Sequence, residues 1–323
     1  MNQLLIILGG TLILELILGD LQNPWYPVEF LKNIADRAGL KIRDYFGNSV
    51  TAGIIGWLLI VPVTVFSAWL LVKGVHWCFG VGELWLASLL VWSSISMRRL
   101  LQQTLSLIAP LRRGNLSVAR RSLDEMTNFT TDKIISKDII RYGIENIGVK
   151  LVGTVTSVFF WAILGWIIHG AAGAAAGAVF SRVVQVLEAQ WGSRHGQYQK
   201  FGRFAVAVNH LTDWIPARLT AFAVAIAALP LGRCRIAFSM AWRHRRDFLS
   251  SNSSWIKAAF AGALSLTLGG PREYASGIKN YPYLGHSRAE LKIADLKRAV
   301  RLAFFSVIIF LAFMILITVI FMT

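Results

Sequence analysis

The sequence predicts an all-α polytopic membrane protein with about five to six membrane helices and amphipathic helices in its cytoplasmic loops. Of its 323 residues, 55% are hydrophobic, and the mean hydropathy is +0.55. Only 15% are charged, whereas a soluble domain carries roughly a quarter. The charges lie mostly between long apolar runs. The chain is therefore predicted to be a single membrane domain over residues 1–323.

Six apolar segments are predicted to lie in the bilayer. They cover residues 4–18, 51–72, 79–92, 151–187, 215–231 and 304–322. The second and third are separated by about six residues, which is typical of a helical hairpin. Within the fourth, Gly170, Gly173 and Gly177 form a small-xxx-small pattern that lets helix backbones approach closely. That pattern permits packing within the chain or a homodimer.

The distribution of Lys and Arg predicts how these segments are oriented in the membrane. The net charge is +16, and the polar regions 97–150 and 232–303 are rich in Lys and Arg. By the positive-inside rule both regions are predicted to be cytoplasmic, in a multi-pass protein of the cell inner (cytoplasmic) membrane. An even number of crossings must then separate them. Either 151–187 crosses once, or the short segment 215–231 is re-entrant, and the sequence leaves both alternatives open.

Inside the first polar region, residues 115–126 have helical periodicity. Leu116, Ala119, Leu123 and Met126 recur at spacings of three and four residues. This spacing predicts a short amphipathic helix rather than a disordered loop.

Several classes of function are disfavoured. Basicity alone would suggest nucleic acid, but no zinc-ligand set, RNP-like aromatic pair or recognition-helix pattern accompanies it, so no nucleic-acid partner is expected. Cys78 and Cys234 stand apart without a partner motif. There is no Walker A, GxGxxG after a strand, HExxH, GxSxG or CxxC motif. The lipid bilayer is the one partner that composition alone predicts.

Two polar clusters are candidates for chemistry. Acids and guanidinium groups alternate between Glu188 and Arg218, beside two predicted membrane edges. This pattern suits a phosphorylated ligand with a hard cation, although a solvated loop would look the same. Ser250 and Asn252 precede a small-residue helix, where they serve as caps or as a phosphate site.

Several motifs resemble those of the adenosylcobinamide-phosphate synthase (CobD/CbiB) family of cobalamin biosynthesis. The best-kept block, Asp213-Trp-Ile-Pro-Ala-Arg-Leu-Thr220, is similar to the family's Asn-Trp-Ile-Pro-Ala-Arg-Leu-Thr. Gly114-Asn-Leu-x-x-Ala-Arg120 and Ser250-x-Asn-x-x-Trp255 also match, and Glu15, Gly19, Asp20 and Trp25 follow the family's opening order. The likeness runs nearly end to end.

The resemblance implies an ATP-dependent ligase that uses Mg²⁺ to join a corrinoid, adenosylcobyric acid, to aminopropanol phosphate. On that basis Asp20, Glu145 and Glu188 are expected to be catalytic acids close to Mg²⁺. The residues expected to bind substrate are Arg182, Arg194, Tyr198, Asp213, Arg218, Asn252 and Trp255.

The chain departs from the family pattern at several acids. Asn128-Phe-Thr-Thr131 stands where the family has Gly-Arg-Asp-Thr, and Glu145 is the only acid kept from Glu-Ser-x-Ala-Glu-Asn-x-x-Asp-Gly. Such losses are expected when a scaffold keeps its packing and changes its chemistry. The alternative function is therefore a non-catalytic membrane sensor or regulator, like AmpE, a membrane protein linked to β-lactamase induction that is similar to this family.

Overall fold

Helices dominate the computed structural model, which describes residues 1–19, 27–80, 82–127, 131, 134–192, 200–248, 250–274, 277–285 and 290–322. The helices are α1 (Asn2–Ile17), α2 (Pro27–Phe46), α3 (Val50–Phe79), α4 (Gly82–Ser94), α5 (Met97–Ser106), α6 (Ile108–Arg112), α7 (Leu116–Asp124), α8 (Ser136–Leu151), α9 (Ser157–Trp191), α10 (Arg203–Thr212), α11 (Trp214–Ala227), α12 (Cys234–Arg243), α13 (Ser251–Leu264) and α14 (Ile293–Met322). A π-helical turn, Val152–Thr156, joins α8 to α9, and a 3₁₀ turn, Leu229–Leu231, follows α11.

Strands are few and short in the described residues. β1 (Leu268–Gly269) pairs with β4 (Tyr283–Leu284), and β2 (Arg272–Tyr274) pairs with β3 (Gly277–Lys279), both antiparallel. The predicted all-α class is therefore confirmed.

The apolar helices agree with a polytopic membrane protein. Three described helical stretches are long and apolar enough to cross a membrane, Val50–Phe79, Ser136–Trp191 and Ile293–Phe321, while α1 and α11 are shorter apolar helices. The structure extends α3 to Phe79, beyond the predicted end at 72. The hairpin with α4 therefore turns at Gly80, whose φ of 54° favours glycine.

Helix α9 is folded back on itself. His169 and Gly170 leave helical geometry, and Gly170 has a φ of 62°. Two antiparallel arms, 157–168 and 171–191, result, and we call them the glycine hairpin. Facing pairs recur every four residues along both arms, namely Gly165 with Gly173, Trp161 with Gly177, and Ser157 with Ser181. The small-residue pattern is thus used inside the chain, and the homodimer stays a prediction.

The glycine hairpin and the length of α11 both bear on the number of times the chain crosses the membrane. Both arms of the glycine hairpin come from the predicted segment 151–187. Helix α11 has 14 residues, about 21 Å of helix, whereas the hydrocarbon core is about 30 Å thick. After it the chain turns and α12 packs back against α11. Both alternatives for the crossings stay predictions, because the first arm of the glycine hairpin, residues 157–168, is shorter than α11.

The chain forms two compact units from interleaved segments. The first unit comprises residues 1–98, 153–213 and 314–323. Its core gathers α2, α3 and the second arm of the glycine hairpin around Trp191, which packs on Phe201 at a ring distance of 4.9 Å. The indole of Trp191 donates to the Ala35 carbonyl at 3.0 Å, so its buried N–H is satisfied.

The second unit comprises residues 99–152 and 214–313. Its central helix is α13, whose residues from Ser254 to Leu264 are all buried. The predicted amphipathic helix is confirmed as α7, with Ala119 and Leu123 buried and the Asn115 side chain accepting from the Val118 N–H at 3.2 Å. Ser250 likewise caps α13, accepting from the Ser253 N–H at 3.4 Å.

Candidate functional site

Glu145 forms the centre of a buried charge cluster in the second unit. Its carboxylate is 2% exposed. Lys257 Nζ lies 3.4 Å from Oε2, and Arg272 Nη2 forms an ion pair with the same oxygen. The Gly269 N–H donates to Oε1 at 2.8 Å. We call these four residues the Glu145 cluster.

Three elements deliver these residues. Glu145 lies on the buried face of α8, which packs on α13, the helix that carries Lys257. The chain leaves α13 through Ser265, whose left-handed backbone (φ 51°) directs it into β1. Gly269 has a φ of 81°, and a Cβ there would overlap the Pro282 carbonyl oxygen. A glycine is therefore needed to present its N–H to the carboxylate.

Aromatic rings surround the two cations. The Arg272 guanidinium lies over Tyr142 at 5.2 Å, Tyr281 at 5.8 Å and Phe248 at 5.9 Å. Lys257 Nζ lies 4.3 Å from the Phe248 ring centroid. Phe248 and Tyr281 stack at 4.9 Å. Ring faces stabilise cations that have lost water, so the cluster holds two positive charges in a partly apolar pocket.

A second ion pair borders this cluster. Arg141 pairs with Asp138 at 2.8 Å and donates to the Tyr142 hydroxyl at 3.2 Å. The same hydroxyl donates to the Pro271 carbonyl at 3.2 Å. This chain of contacts links α8 to the segment that carries Arg272, and so positions Arg272 beside Glu145.

Magnesium fits poorly at Glu145 in this arrangement. Mg²⁺ needs several oxygen ligands, of which carboxylates are the usual protein donors. Both Glu145 oxygens are already engaged, and two cations would repel a third. No group of three His, Cys, Asp or Glu close enough to hold a metal occurs among the described residues. The predicted magnesium role of Glu145 stays a prediction, and its surroundings weigh against it.

The structure brings three predicted substrate residues together in the second unit. Arg218 Nη1 lies 3.4 Å from Asn252 Oδ1. Its guanidinium lies over Trp255 at 5.6 Å and over Trp214 at 4.0 Å. Trp255 in turn meets Trp242 edge to face at 5.7 Å. Arg218, Asn252 and Trp255 are neighbours as a common site requires, and their contact with substrate stays a prediction.

Arg182 belongs to a polar network in the first unit. It is 7% exposed, and it donates to Gln185 Oε1 at 2.6 Å and to Ser96 Oγ at 2.8 Å. Gln185 lies over Gly153, in the π-helical turn, and a Cβ on Gly153 would overlap its amide. Single π-helical turns occur frequently at functional sites. We call Ser96, Gly153, Arg182 and Gln185 the Arg182 network.

Asp213 lies next to this network, on the same side of Gly153 as Gln185. Its Oδ2 would lie 3.6 Å from a Cβ on Gly153, and Asn209 Nδ2 donates to it at 3.4 Å. Burial raises the pKa of Asp213 to about 6, although hydrogen bonds from Ser157 and Asn209 act in the opposite direction. Asp213 lies between α10 and α11, where it changes charge close to neutral pH.

The remaining predicted residues divide into two groups. Glu188 is half-buried on the second arm of the glycine hairpin, where its carbonyl accepts the Gly192 N–H at 2.7 Å. Asp20, Arg194 and Tyr198 lie outside the described residues.

Sequence reasoning missed Lys257, Arg272 and Gly269. Lys257 interrupts a run of small and apolar residues, and Arg272 follows Gly269-Gly-Pro271. A lysine inside an otherwise apolar buried helix was the available signal, because an unpaired buried cation is costly. The partner of Lys257, Glu145, could not be found that way, because the two residues are 112 positions apart in sequence.

Comparison with known proteins establishes the family. The family model described as CobD/Cbib protein matches residues 8–303. This chain belongs to the CobD/CbiB family. Cobalamin biosynthesis protein CobD of Citrobacter koseri is 27% identical over 301 residues, 90% of each chain. The Synechocystis sp. protein of the same name is 29% identical over 298 residues, 91% of this chain and 86% of its own. No solved structure matches this CobD/CbiB chain.

Proposed function

We propose that this CobD/CbiB protein acts in cobalamin biosynthesis, as the ligase that joins adenosylcobyric acid to aminopropanol phosphate in an amide bond. Family membership over residues 8–303 supports the pathway. The Glu145 cluster is the observation that supports this reaction class, because both proposed substrates are anionic and Lys257 and Arg272 are buried cations surrounded by aromatic rings.

The proposed chemistry joins a carboxylate to an amine in an amide bond. ATP, which the family resemblance implies, would activate the carboxylate by phosphoryl transfer with release of ADP, and the amine would then displace inorganic phosphate, which carries away the carboxylate oxygen. Lys257 and Arg272 would hold a phosphate, and ring faces from Tyr142, Phe248 and Tyr281 would keep water away from it. Glu145 would position the two cations. No step is assigned to magnesium at Glu145, since that carboxylate is fully engaged.

The Arg182 network is proposed to bind an anionic corrinoid side chain. Arg182 is buried, and it donates to the uncharged oxygens of Gln185 and Ser96. A guanidinium held in this way presents a fixed geometry to a carboxylate or phosphate. Arg218, with Asn252 and Trp255, is proposed to make a further substrate contact.

A non-catalytic membrane sensor is the second candidate. The observation that favours it concerns Glu145, the one acid kept from its motif. Glu145 forms ion pairs with Lys257 and Arg272. A protein that binds a corrinoid through cations without turning it over would retain these pairs.

The deciding experiment uses the full chain purified in detergent. Corrinoid binding is measured by absorbance, and amide formation with aminopropanol phosphate, ATP and Mg²⁺ is measured by mass spectrometry. Under the ligase proposal, Lys257→Met reduces turnover by at least about a hundredfold, while the exposed matched control Lys297→Gln leaves it unchanged. Binding without turnover supports the sensor, and absence of both contradicts both candidates.

A further inference from the structure

Helix α12 and its flanks carry a concentrated positive charge that the proposed ligase chemistry does not use. Five arginines occur between positions 233 and 246, and no acidic residue stands among them. They are Arg233, Arg235, Arg243, Arg245 and Arg246. We call residues 233–246 the arginine helix. Asp247, the acid that follows, pairs with His244 at 2.6 Å.

One face of the arginine helix packs against α13, within the second unit. Ala237, Met240 and Ala241 are buried, and α12 packs on α13. The approach is close, since a Cβ on Gly262 of α13 would lie 2.6 Å from the Ala237 Cα. The opposite face of α12 is therefore held outward by backbone packing.

That outward face mixes bulky apolar side chains with arginine. Ile236 is 50% exposed, Phe238 45% and Trp242 55%. Arg235 and Arg243 are exposed on the same side of the helix. Each of these three apolar side chains leaves about half of its surface exposed, and such a mixture with arginine is typical of a helix that lies at a membrane interface. Arginine stems can cover apolar surface while their charged heads reach phosphate.

Packing places α12 beside a membrane helix. Phe238 meets Phe222 at a ring distance of 6.4 Å, and Phe222 meets Phe313 at 5.9 Å. Phe313 belongs to α14, the terminal helix that is long and apolar enough to cross a membrane. One side chain, Phe222, thus separates the arginine helix from α14.

Trp242 is held in a fixed orientation by its neighbours. Arg245 donates to the Trp242 carbonyl at 2.8 Å, and its guanidinium lies 4.9 Å from the indole centroid. Trp255 packs edge to face against the same indole at 5.7 Å. Tryptophan with an apolar body and a polar N–H favours the headgroup level of a bilayer.

We propose that the arginine helix binds the headgroups of anionic phospholipids, with Arg235, Arg243 and Arg246 contacting their phosphates. Arg235 and Arg243 are eight residues apart, about 12 Å along the helix, so they can serve neighbouring headgroups. The exposed apolar side chains favour lipid over the sugar-phosphate backbone of a nucleic acid, and the neighbouring membrane helix α14 favours lipid over an acidic protein. Basic segments beside a membrane are attracted to anionic lipid in this way.

The test compares lipid retention by the full chain with matched variants. Protein in uncharged detergent is mixed with phosphatidylglycerol or phosphatidylcholine, and bound lipid is counted by native mass spectrometry. The triple variant Arg235→Gln, Arg243→Gln, Arg246→Gln is expected to retain at least about fivefold less phosphatidylglycerol. The control variant Arg112→Gln, Arg113→Gln, Arg121→Gln removes the same charge from exposed positions and is expected to behave as wild type.

Three results would overturn the proposal. The first is equal retention of the two lipids by wild type, and the second is an equal loss in both triple variants. The third is displacement of phosphatidylglycerol by inorganic phosphate at the same phosphate concentration, which would indicate a site for a free anion. A spin label at Ser239→Cys, on the outward face, in a chain that also carries Cys78→Ser and Cys234→Ser, supplies a second measurement in nanodiscs. The label is expected at headgroup depth, and a label fully accessible to a water-soluble relaxing agent contradicts the proposal.

Discussion

Gly165 and Gly173 face each other so closely across the glycine hairpin that a Cβ on either would overlap the carbonyl oxygen of the other. The clash would be with backbone on both sides, so no side-chain rotation relieves it. Gly177 makes the same kind of contact with the Trp161 carbonyl. The two arms therefore depend on glycine at these positions for their separation.

Gly173→Val is expected to destabilise the protein severely, by several kcal/mol, because the arms must move apart. The measurement is thermal unfolding of the detergent-solubilised chain. Gly74→Ala is the matched control, since Gly74 lies in α3 and a Cβ added there would have no atom within 4 Å. Alanine at that position is expected to be neutral or to stabilise the helix by up to about 1 kcal/mol. Equal stability of both variants would contradict the hairpin.

Glu145→Gln is expected to cost about 3–5 kcal/mol of unfolding free energy, because it leaves Lys257 and Arg272 buried without their carboxylate. Lys257→Met in the same background should restore part of the loss. The measurement is a double-mutant cycle by chemical unfolding. If the two changes are additive, Glu145 and Lys257 are not coupled, and the positioning role proposed for Glu145 is wrong.

Asp213→Asn is expected to flatten the pH dependence of stability. The pKa of Asp213 in the folded protein is about 6, against 3.8 for the unfolded chain, so the native state binds the extra proton. Stability is therefore lost as the pH rises from about 4 to about 6, by at most about 3 kcal/mol. Thermal unfolding across that range should show the fall in wild type and not in Asp213→Asn. Asp44→Asn, at an exposed position, serves as the control. If stability still falls with rising pH in Asp213→Asn, another group is responsible for the pH dependence.

Arg218→Lys is expected to weaken corrinoid affinity by about tenfold without unfolding the protein. Lysine keeps the charge but loses the planar guanidinium that lies over Trp214 and reaches Asn252. Titration by absorbance gives the dissociation constant, with Arg121→Lys on the exposed side of α7 as the matched control. Unchanged affinity would show that Arg218 serves packing alone.

The Glu145 cluster shows where sequence reasoning reaches its limit. Glu145 was identified because a motif resemblance pointed to it, and the expected partner was a metal ion. The partners in the structure are Lys257 and Arg272, 112 and 127 positions further along the chain. Hydrophobic periodicity reports which face of a helix is buried, but it carries no information on which distant residue meets that face.

The sequence by itself determined the properties that depend on local composition. It determined the main apolar segments, the all-α class, the amphipathic helix α7 and the resemblance to the CobD/CbiB family, because hydropathy, periodicity and motif order are read over short windows. Tertiary structure alone decided that Gly165 meets Gly173 and that Glu145 is neutralised by two cations. Those outcomes depend on close backbone approach and on the cost of burying charge, both of which exist only once distant segments are packed together.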